Sequence, residues 1–482
     1  MSRTEGKCKY KIKGSPDHKS KMKYILSEHI ALRSWRLVPY AYYIKGCRNA
    51  QGLKADEYEL LRRCDGSQDI ADSALLQGLL SRGFCRPAKS GETLSEWQKE
   101  KVCDNRHFPA MNWMITGKCN YNCLHCFNAA DNGRLQSEFT LEEAEKLIEE
   151  AEACGINAFT ITGGEPMLHP HFMDIIRSIY AHGMYVEELN TNGFFITQKI
   201  LDEMKEIGCR PLMKISFDGV GHHDWLRNRK GAEEDALRAV RLCIENGFPV
   251  KAQTNVHRLN LHTMLPTAKL LNDMGVREMR IIRTTEAPRW VQNAGDACLT
   301  LEEYFDAMLD FLRAYIETDC KMEIDIWNFV HLSPQSKAYR PRAMECGEGE
   351  YRDSLPVCRG NRGMVAVGAN GNLYPCHQMS GYYEQHGWIL GNVKTDGLST
   401  LLKEGKYLQN VCTTVKDLKE HNEKCANCKW FKYCCGGCRA VGLALTEDVF
   451  GSDLSKCLFF EGGYIEKLQE VLAGYYNISP IR

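Results

Sequence analysis

From residue 111 to residue 317 the chain alternates between short apolar runs and amphipathic segments of helical period. The runs Met111–Gly117, Ala158–Thr162, Val186–Thr191, Leu212–Phe217, Val250–Val256 and Glu278–Arg283 read as strands. Helical segments near 140–153, 171–182, 197–207, 231–246 and 260–273 lie between them, and another follows at 300–317. A strand followed by an amphipathic helix, repeated six times, buries its apolar faces best as a parallel sheet covered by helices. A curved partial barrel is the closed form of that sheet. The expected fold class is therefore α/β, a partial (β/α)6 TIM-like barrel over residues 111–320. In such barrels the reactive groups sit on loops at the C-terminal ends of the strands.

The chemically suggestive motifs fall at those ends. Cys119, Cys123 and Cys126 follow the first strand with the spacing C-x3-C-x2-C. Three thiolates this close can all reach one iron–sulfur cluster. A cubane has four irons, so three ligands leave one iron open to a small molecule. A structural zinc site is a poorer fit, because it closes a tetrahedron with paired knuckles. The next cysteine is Cys154, inside a predicted helix. Gly163-Gly164-Glu165-Pro166 follows the second strand. Its glycines permit close backbone approach, and Glu165 offers a carboxylate to an ammonium group. Asn190–Gly193 follows the third strand, and Ser216–Asp218 ends the fourth.

Composition excludes several function classes. The net charge of −1 gives no global field for nucleic acid or anionic membrane. The basic N-terminal stretch lacks an apolar core, so it is not a secretory signal. No apolar run is long enough to span a bilayer. A cytoplasmic location is expected. Against that background 23 cysteines are anomalous. Tight clusters without a signal sequence point to metal binding rather than disulfides.

The flanks divide as follows. Residues 1–23 carry Arg3 and seven lysines and read as a basic, disordered tail. Residues 24–100 read as a separate module of strands followed by two helices, a winged-helix-like pattern, with CDGSQD at 64–69 as a turn. Arg62 and Arg63 have few basic neighbours, which disfavours DNA. Such a module can instead take an extended peptide at a strand edge. Residues 88–110 are polar, with the linker proper at 101–110. Residues 321–345 read as a bridge, 346–460 as a cysteine-rich metal domain, and 461–482 as a closing helix and tail.

The pairing of C-x3-C-x2-C with GGEP one strand later resembles the radical S-adenosylmethionine (SAM) superfamily. The resemblance implies that Cys119, Cys123 and Cys126 hold a 4Fe–4S cluster whose open iron chelates SAM. It places Gly163, Gly164, Glu165 and Pro166 at the methionyl amine, and Asn192, Ser216 and Arg227 near the ribose or carboxylate. The residue before the third cysteine, often an aromatic that packs on adenine, is here His125. The later cysteines resemble a SPASM domain. By that resemblance Cys425, Cys428, Cys434 and Cys457 hold one auxiliary 4Fe–4S cluster. Cys358, Cys376 and Cys438 hold another, with Cys346 as its possible fourth ligand. Three clusters are thus implied. Cys435 is an extra cysteine, read as a structural thiol.

The N-terminal module resembles the PqqD-like leader-recognition element of maturases of ribosomally made peptides. The implied function is radical modification of a precursor peptide bound through its leader, with thioether formation foremost. Carbon–carbon crosslinking, epimerisation, or oxidation of a protein Cys or Ser are the alternatives. A non-catalytic iron–sulfur regulator is the reading from outside the class. A flavodoxin or ferredoxin is the expected electron donor. Asp325, in the run MEIDIWNF, is a candidate base.

Overall fold

A computed structural model describes residues 22–126, 137–284, 288–342 and 350–478. The predicted alternation appears as six parallel strands: β1 (Ala110–Thr116), β2 (Ala158–Gly163), β3 (Tyr185–Thr191), β4 (Leu212–Ser216), β5 (Val250–Val256) and β6 (Glu278–Arg283). They pair in sequence order. The intervening helices include Leu141–Ala153, Phe172–Ala181, Gln198–Ile207, Ala232–Glu245 and Met264–Asp273, and Leu301–Ile316 follows β6. Two of these helices begin at the same tetrapeptide, TLEE. Thr140 accepts from Glu143 N, and Glu143 accepts from Thr140 N. Thr300 and Glu303 repeat this reciprocal box, which satisfies amides that a helix start would otherwise leave unpaired.

The segment expected as a bridge extends the same sheet. β7 (Glu323–Ile326) joins β6 in parallel, and β8 (Val330–Ser333) and β9 (Ala338–Pro341) follow antiparallel. Each is four residues long with charged side chains on one face, too short for its alternation to stand out in the sequence. At the opposite edge Val365–Val367, from the cysteine-rich region, pairs parallel with β1.

Outward residues such as Trp113, Phe159, Ile215, Met279 and Ile324 join Ile148, Ile176, Leu201 and Phe305 in one core. Each fully buried Ile or Leu contributes roughly 1.5–3 kcal/mol. The inner face is polar. Register places Ser216, Gln253, Arg280, Asp325, His331 and Arg340 side by side across β4 to β9. The row beneath holds Lys214, Lys251, Glu278 and Glu323.

In the N-terminal module, Met22–Leu26, Asp65–Ile70 and Cys85–Pro87 form one sheet, and Gln51–Gly52, Val38–Ile44, Ile30–Trp35 and Lys101–Cys103 form another. Helices Ala55–Arg62 and Ala74–Ser81 pack on a small core of Tyr24, Leu32, Leu61, Leu76 and Leu79. The CDGSQD stretch is thus a strand rather than a turn. Its polar side chains are solvated, but its backbone pairs with a strand some forty residues earlier. The stretch taken as a linker is ordered too. Trp97 and Gln98 are buried, and the Gln98 amide donates to Ser27 O at 2.9 Å. Residues 101–103 pair with Arg33–Trp35.

The module is keyed to the barrel. Trp35 Nε1 donates to Cys154 O at 3.0 Å, and Tyr43 OH donates to Gly155 O at 2.8 Å. Gly155 lies in the left-handed region at φ +74°, and a Cβ there would meet the Trp35 ring at 2.4 Å. Gly183, also at φ +74°, would meet Trp97 at 2.3 Å. Among the described residues no helix is long and apolar enough to cross a membrane.

Candidate active site

The cysteine loop leaves β1 at Gly117, whose N–H donates to Ser137 O. Leu124 N donates to Leu226 O at 2.9 Å, and Arg289 reaches Asn122 O at 3.2 Å. These ties bend residues 119–126 back over the strand ends and bring the three thiols together. Cys119 feels the charges of both Cys123 and Cys126, and also that of Glu165. Burial pushes the Cys119 thiol up to about 12, so ionisation there needs a counter-charge such as a metal.

The GGEP turn is packed onto this loop. Gly164 N donates to Thr116 O at 2.8 Å, and Glu165 N to Lys118 O at 2.9 Å. A Cβ on Gly163 would meet Thr116 O at 2.4 Å, and one on Gly164 would meet Lys118 O at 2.2 Å. These glycines therefore let two loop backbones touch, a tighter role than ligand approach alone. Glu165 is fully buried. Its carboxylate accepts from Asn192 N and Thr191 Oγ1, both at 2.9 Å, and from Met167 N at 3.3 Å. Burial outweighs these bonds and lifts its pKa to about 7. A buried carboxylate in that state is primed for a cationic partner. Pro166, next in the chain, is also buried. Asn192 Nδ2 donates to Asn120 Oδ1 at 2.9 Å, which joins the third loop to the first. Ser216 ends β4.

Arg227 and Asp218 form a buried bidentate pair, with Nε to Oδ2 at 2.6 Å and Nη2 to Oδ1 at 3.1 Å. Asp218 also accepts from Asn255 N at 2.9 Å and lies 3.0 Å from His223 Nδ1. Burial would raise the Asp218 pKa, but Arg227 and His223 more than offset it and hold it well below the usual range. Arg227 Nη1 lies 3.9 Å from Cys123 Sγ. Arg227, given by resemblance as a cofactor contact, here braces Cys123.

His125 is packed in this crowd, and burial followed by Arg227 lowers it to about 3, a neutral ring. Next to it His257 forms an aromatic trio with Trp225 and Trp290, at 5.0 and 5.8 Å. Among the described residues, His125 Nδ1 and both His257 nitrogens are buried without a hydrogen-bond partner. Buried polar atoms in that state are uncommon and mark a place where a polar ligand fits. His223 and His257 were not singled out from sequence, although His257 immediately follows β5 and the strand-end rule covers it.

Asp325 does not have the setting of a base. It is buried on β7, its Oδ1 accepts from Arg342 Nε at 3.1 Å, and Arg280 Nε lies 3.8 Å away. Burial raises its pKa, but the two guanidiniums outweigh burial and keep it below the ordinary value. The row beneath is balanced: Lys251 pairs with Glu278 at 2.5 Å, and Lys214 with Glu188 at 3.1 Å.

The C-terminal cysteines converge in two places. Cys425, Cys428, Cys434 and Cys457 line one small cavity, with Trp430, Phe431 and Phe460 as apolar walls and Lys456 beside them. Four thiols around a cavity of this kind suit an iron–sulfur cube. Cys376 lies within electrostatic reach of Cys438 and Cys358, a second grouping. Cys346 lies outside the described residues, as does the basic tail up to residue 21. Cys435 is buried at the end of helix Phe431–Cys434, with φ +50°. Burial pulls the Lys456 pKa down to about 8, partly offset by Asp453 and Cys434, which leaves an ammonium at neutral pH.

Comparison with known proteins agrees with this arrangement. Residues 113–271 match the model of the radical SAM superfamily, and residues 358–429 match that of an iron–sulfur cluster-binding domain, SPASM. The chain is 25% identical over 341 residues to an AdoMet-dependent heme synthase of Methanosarcina barkeri, covering 70% of this chain and 92% of that protein. It is 22% identical over 342 residues to a PqqA peptide cyclase of Bradyrhizobium diazoefficiens, covering 70% and 83%. The fold is similar to Streptococcus suis SuiB bound to precursor peptide SuiA, with a TM-score of 0.63 at 13% identity, over 90% of this chain and 99% of that one. The chain thus carries a radical SAM domain with a SPASM domain behind it, and is a radical SAM enzyme with SAM and iron–sulfur clusters as cofactors.

Proposed function

We propose that the chain modifies a ribosomally made precursor peptide, and that the bond it forms is a thioether from a peptide cysteine to carbon. In this reading Cys119, Cys123 and Cys126 hold the SAM-binding 4Fe–4S cluster. Cys425, Cys428, Cys434 and Cys457 hold one auxiliary cluster, and Cys358, Cys376 and Cys438 ligate the other. Bound SAM supplies, on one-electron reduction, a carbon radical that abstracts hydrogen. The chain's residues orient and protect that step. Glu165 receives the methionyl ammonium, held in aim by Asn192 N and Thr191 Oγ1. The Asp218–Arg227 pair braces Cys123, and Asn192 with Ser216 faces the rest of the cofactor. The polar inner wall receives the peptide segment. Forming C–S from C–H and S–H removes two hydrogens: one leaves with the radical. The other leaves as a proton with an electron that an auxiliary cluster accepts. A flavodoxin- or ferredoxin-like protein supplies the initiating electron, in the cytoplasm.

The observation that carries the peptide reading is the N-terminal module. Residues 22–103 fold into two small sheets keyed to the barrel. The first 100 residues are about a fifth of the chain, so a likeness to SuiB over 90% of it includes part of that module. A second reading, modification of a tetrapyrrole, is favoured by the heme synthase likeness, which accounts for 92% of that relative but only 70% of this chain. The test is anaerobic reaction of the reconstituted enzyme with each short cysteine-containing peptide encoded beside its gene, and with an iron tetrapyrrole. Loss of two hydrogens from a cysteine-containing peptide, with the thiol no longer alkylatable, supports the thioether. Turnover of an iron tetrapyrrole with no change in any such peptide would overturn the peptide reading.

A further inference from the structure

Lys456 is 5% exposed and precedes Cys457 on helix Leu454–Glu461. Its Nζ donates to Asn328 O at 2.7 Å and also to Arg342 O. Both carbonyls belong to the barrel: Asn328 turns β7 into β8, and Arg342 follows β9. The same side chain lines the cavity bounded by Cys425, Cys428, Cys434 and Cys457. Among the described residues no carboxylate forms an ion pair with it. The nearby Asp453 carboxylate is committed to Ser455 N at 3.0 Å, Cys438 N at 2.8 Å and the amide of Lys456 itself at 3.2 Å. Asp453 offsets part of the cost of burying this cation but is outside ion-pair range, so its retention calls for a further counter-charge.

We propose that Lys456 is the electrostatic partner of the auxiliary cluster in this cavity and holds its reduction potential up. The inference rests on the reading that these four cysteines bind a cluster. Four thiolates around a cube give an anionic site, and reduction adds one more negative charge. A fixed ammonium stabilises the reduced form more than the oxidised one. Lys424 also lines the cavity, but its side chain is 54% exposed and its charge is screened by water and salt. Lys456 is shielded from both. Because its hydrogen-bond acceptors are barrel carbonyls, its charge is anchored to the barrel rather than to the cysteine loops. The proposed role suits a cluster that must accept an electron from a reaction inside that barrel.

The test is an EPR-monitored redox titration of the reconstituted full-length enzyme in a C119A/C123A/C126A background, which leaves only the C-terminal clusters. K456M should lower the potential of one cluster by at least a tenfold change in its reduction equilibrium, about 59 mV for one electron. K456R should stay near the parent. An unchanged potential in K456M, or an equal fall in K456R, would overturn the role. Should K456M lose iron from this site, retention in K456R supports the counter-charge, and loss in both refutes it. A parent protein without iron at these cysteines refutes instead the ligand reading on which the inference rests.

Discussion

Replacing Glu165 by Gln separates the cost of the site from its use. The carboxylate is fully buried, and its pKa rises from the ordinary value of about 4.5 to about 7. The folded state therefore holds this proton more tightly than the unfolded chain does. Stability is greatest below about pH 4.5, falls as pH rises toward about 7, and is level above that. At about 1.4 kcal/mol per tenfold, the loss sums to roughly 3 kcal/mol at pH 8. Gln cannot ionise, so E165Q escapes it. Its amide NH2 replaces one of the two oxygens and so meets either the Asn192 or the Met167 N–H, and that clash sets a constant offset. The pH slope is thus the test, not the absolute difference. Denaturant unfolding of SAM-free enzyme at pH 5 to 8 should show the gap between E165Q and parent moving by about 2.5 kcal/mol in favour of E165Q. Parallel curves would refute the reasoning. SAM binding should show the reverse: parent affinity rises with pH up to about 7 as the ammonium displaces the proton, whereas E165Q binds more weakly and without that slope.

The Cys119, Cys123 and Cys126 triple Ala variant should lose 5′-deoxyadenosine formation while retaining C-terminal iron; an anaerobic cleavage assay with iron quantitation checks both. D218N leaves Arg227 buried without its carboxylate and should cost about 3–5 kcal/mol by denaturant unfolding. Because Asp218 is depressed below its ordinary pKa, its stabilisation is present above about pH 4 and lost only in stronger acid. D218N should therefore lower stability equally at pH 6 and pH 8. D325N should cost about 1–3 kcal/mol through the loss of Arg342 and Arg280 as partners, yet leave SAM cleavage near the parent rate. Full stability with abolished turnover would restore Asp325 as a base.

Six strands were legible because each is an apolar run next to an amphipathic helix. The last three barrel strands were not, since Glu323, Asp325, His331 and Arg340 give them charged inner faces over four-residue lengths. The grouping of Cys119, Cys123 and Cys126 was legible by spacing, because all three lie on one short loop after β1. The brace on Cys123 was not. Asp218, His223 and Arg227 share the connection after β4, but Cys123 follows β1 and Asn255 lies on β5, and these meet only once the barrel closes. Asp325 misled for a related reason. An acid in an apolar run reads as reactive until Arg342, seventeen residues on, is found bonded to it. The strand at Asp65–Ile70 was hidden because its partner Met22–Leu26 lies far back in the chain, and pairing is a backbone property that polar side chains do not announce.

The two tryptophans seated over Gly155 and Gly183 set a rule for building chimeras. The indoles belong to the N-terminal module and the sockets to the barrel, at the ends of helices Leu141–Ala153 and Phe172–Ala181. Transplanting the module onto a relative therefore requires both halves of the joint. A host with alanine at either socket would meet the indole within 2.5 Å and hold the graft ajar. Glycine at the two helix ends, readable in any candidate host before cloning, is thus a first filter for moving the module onto another barrel.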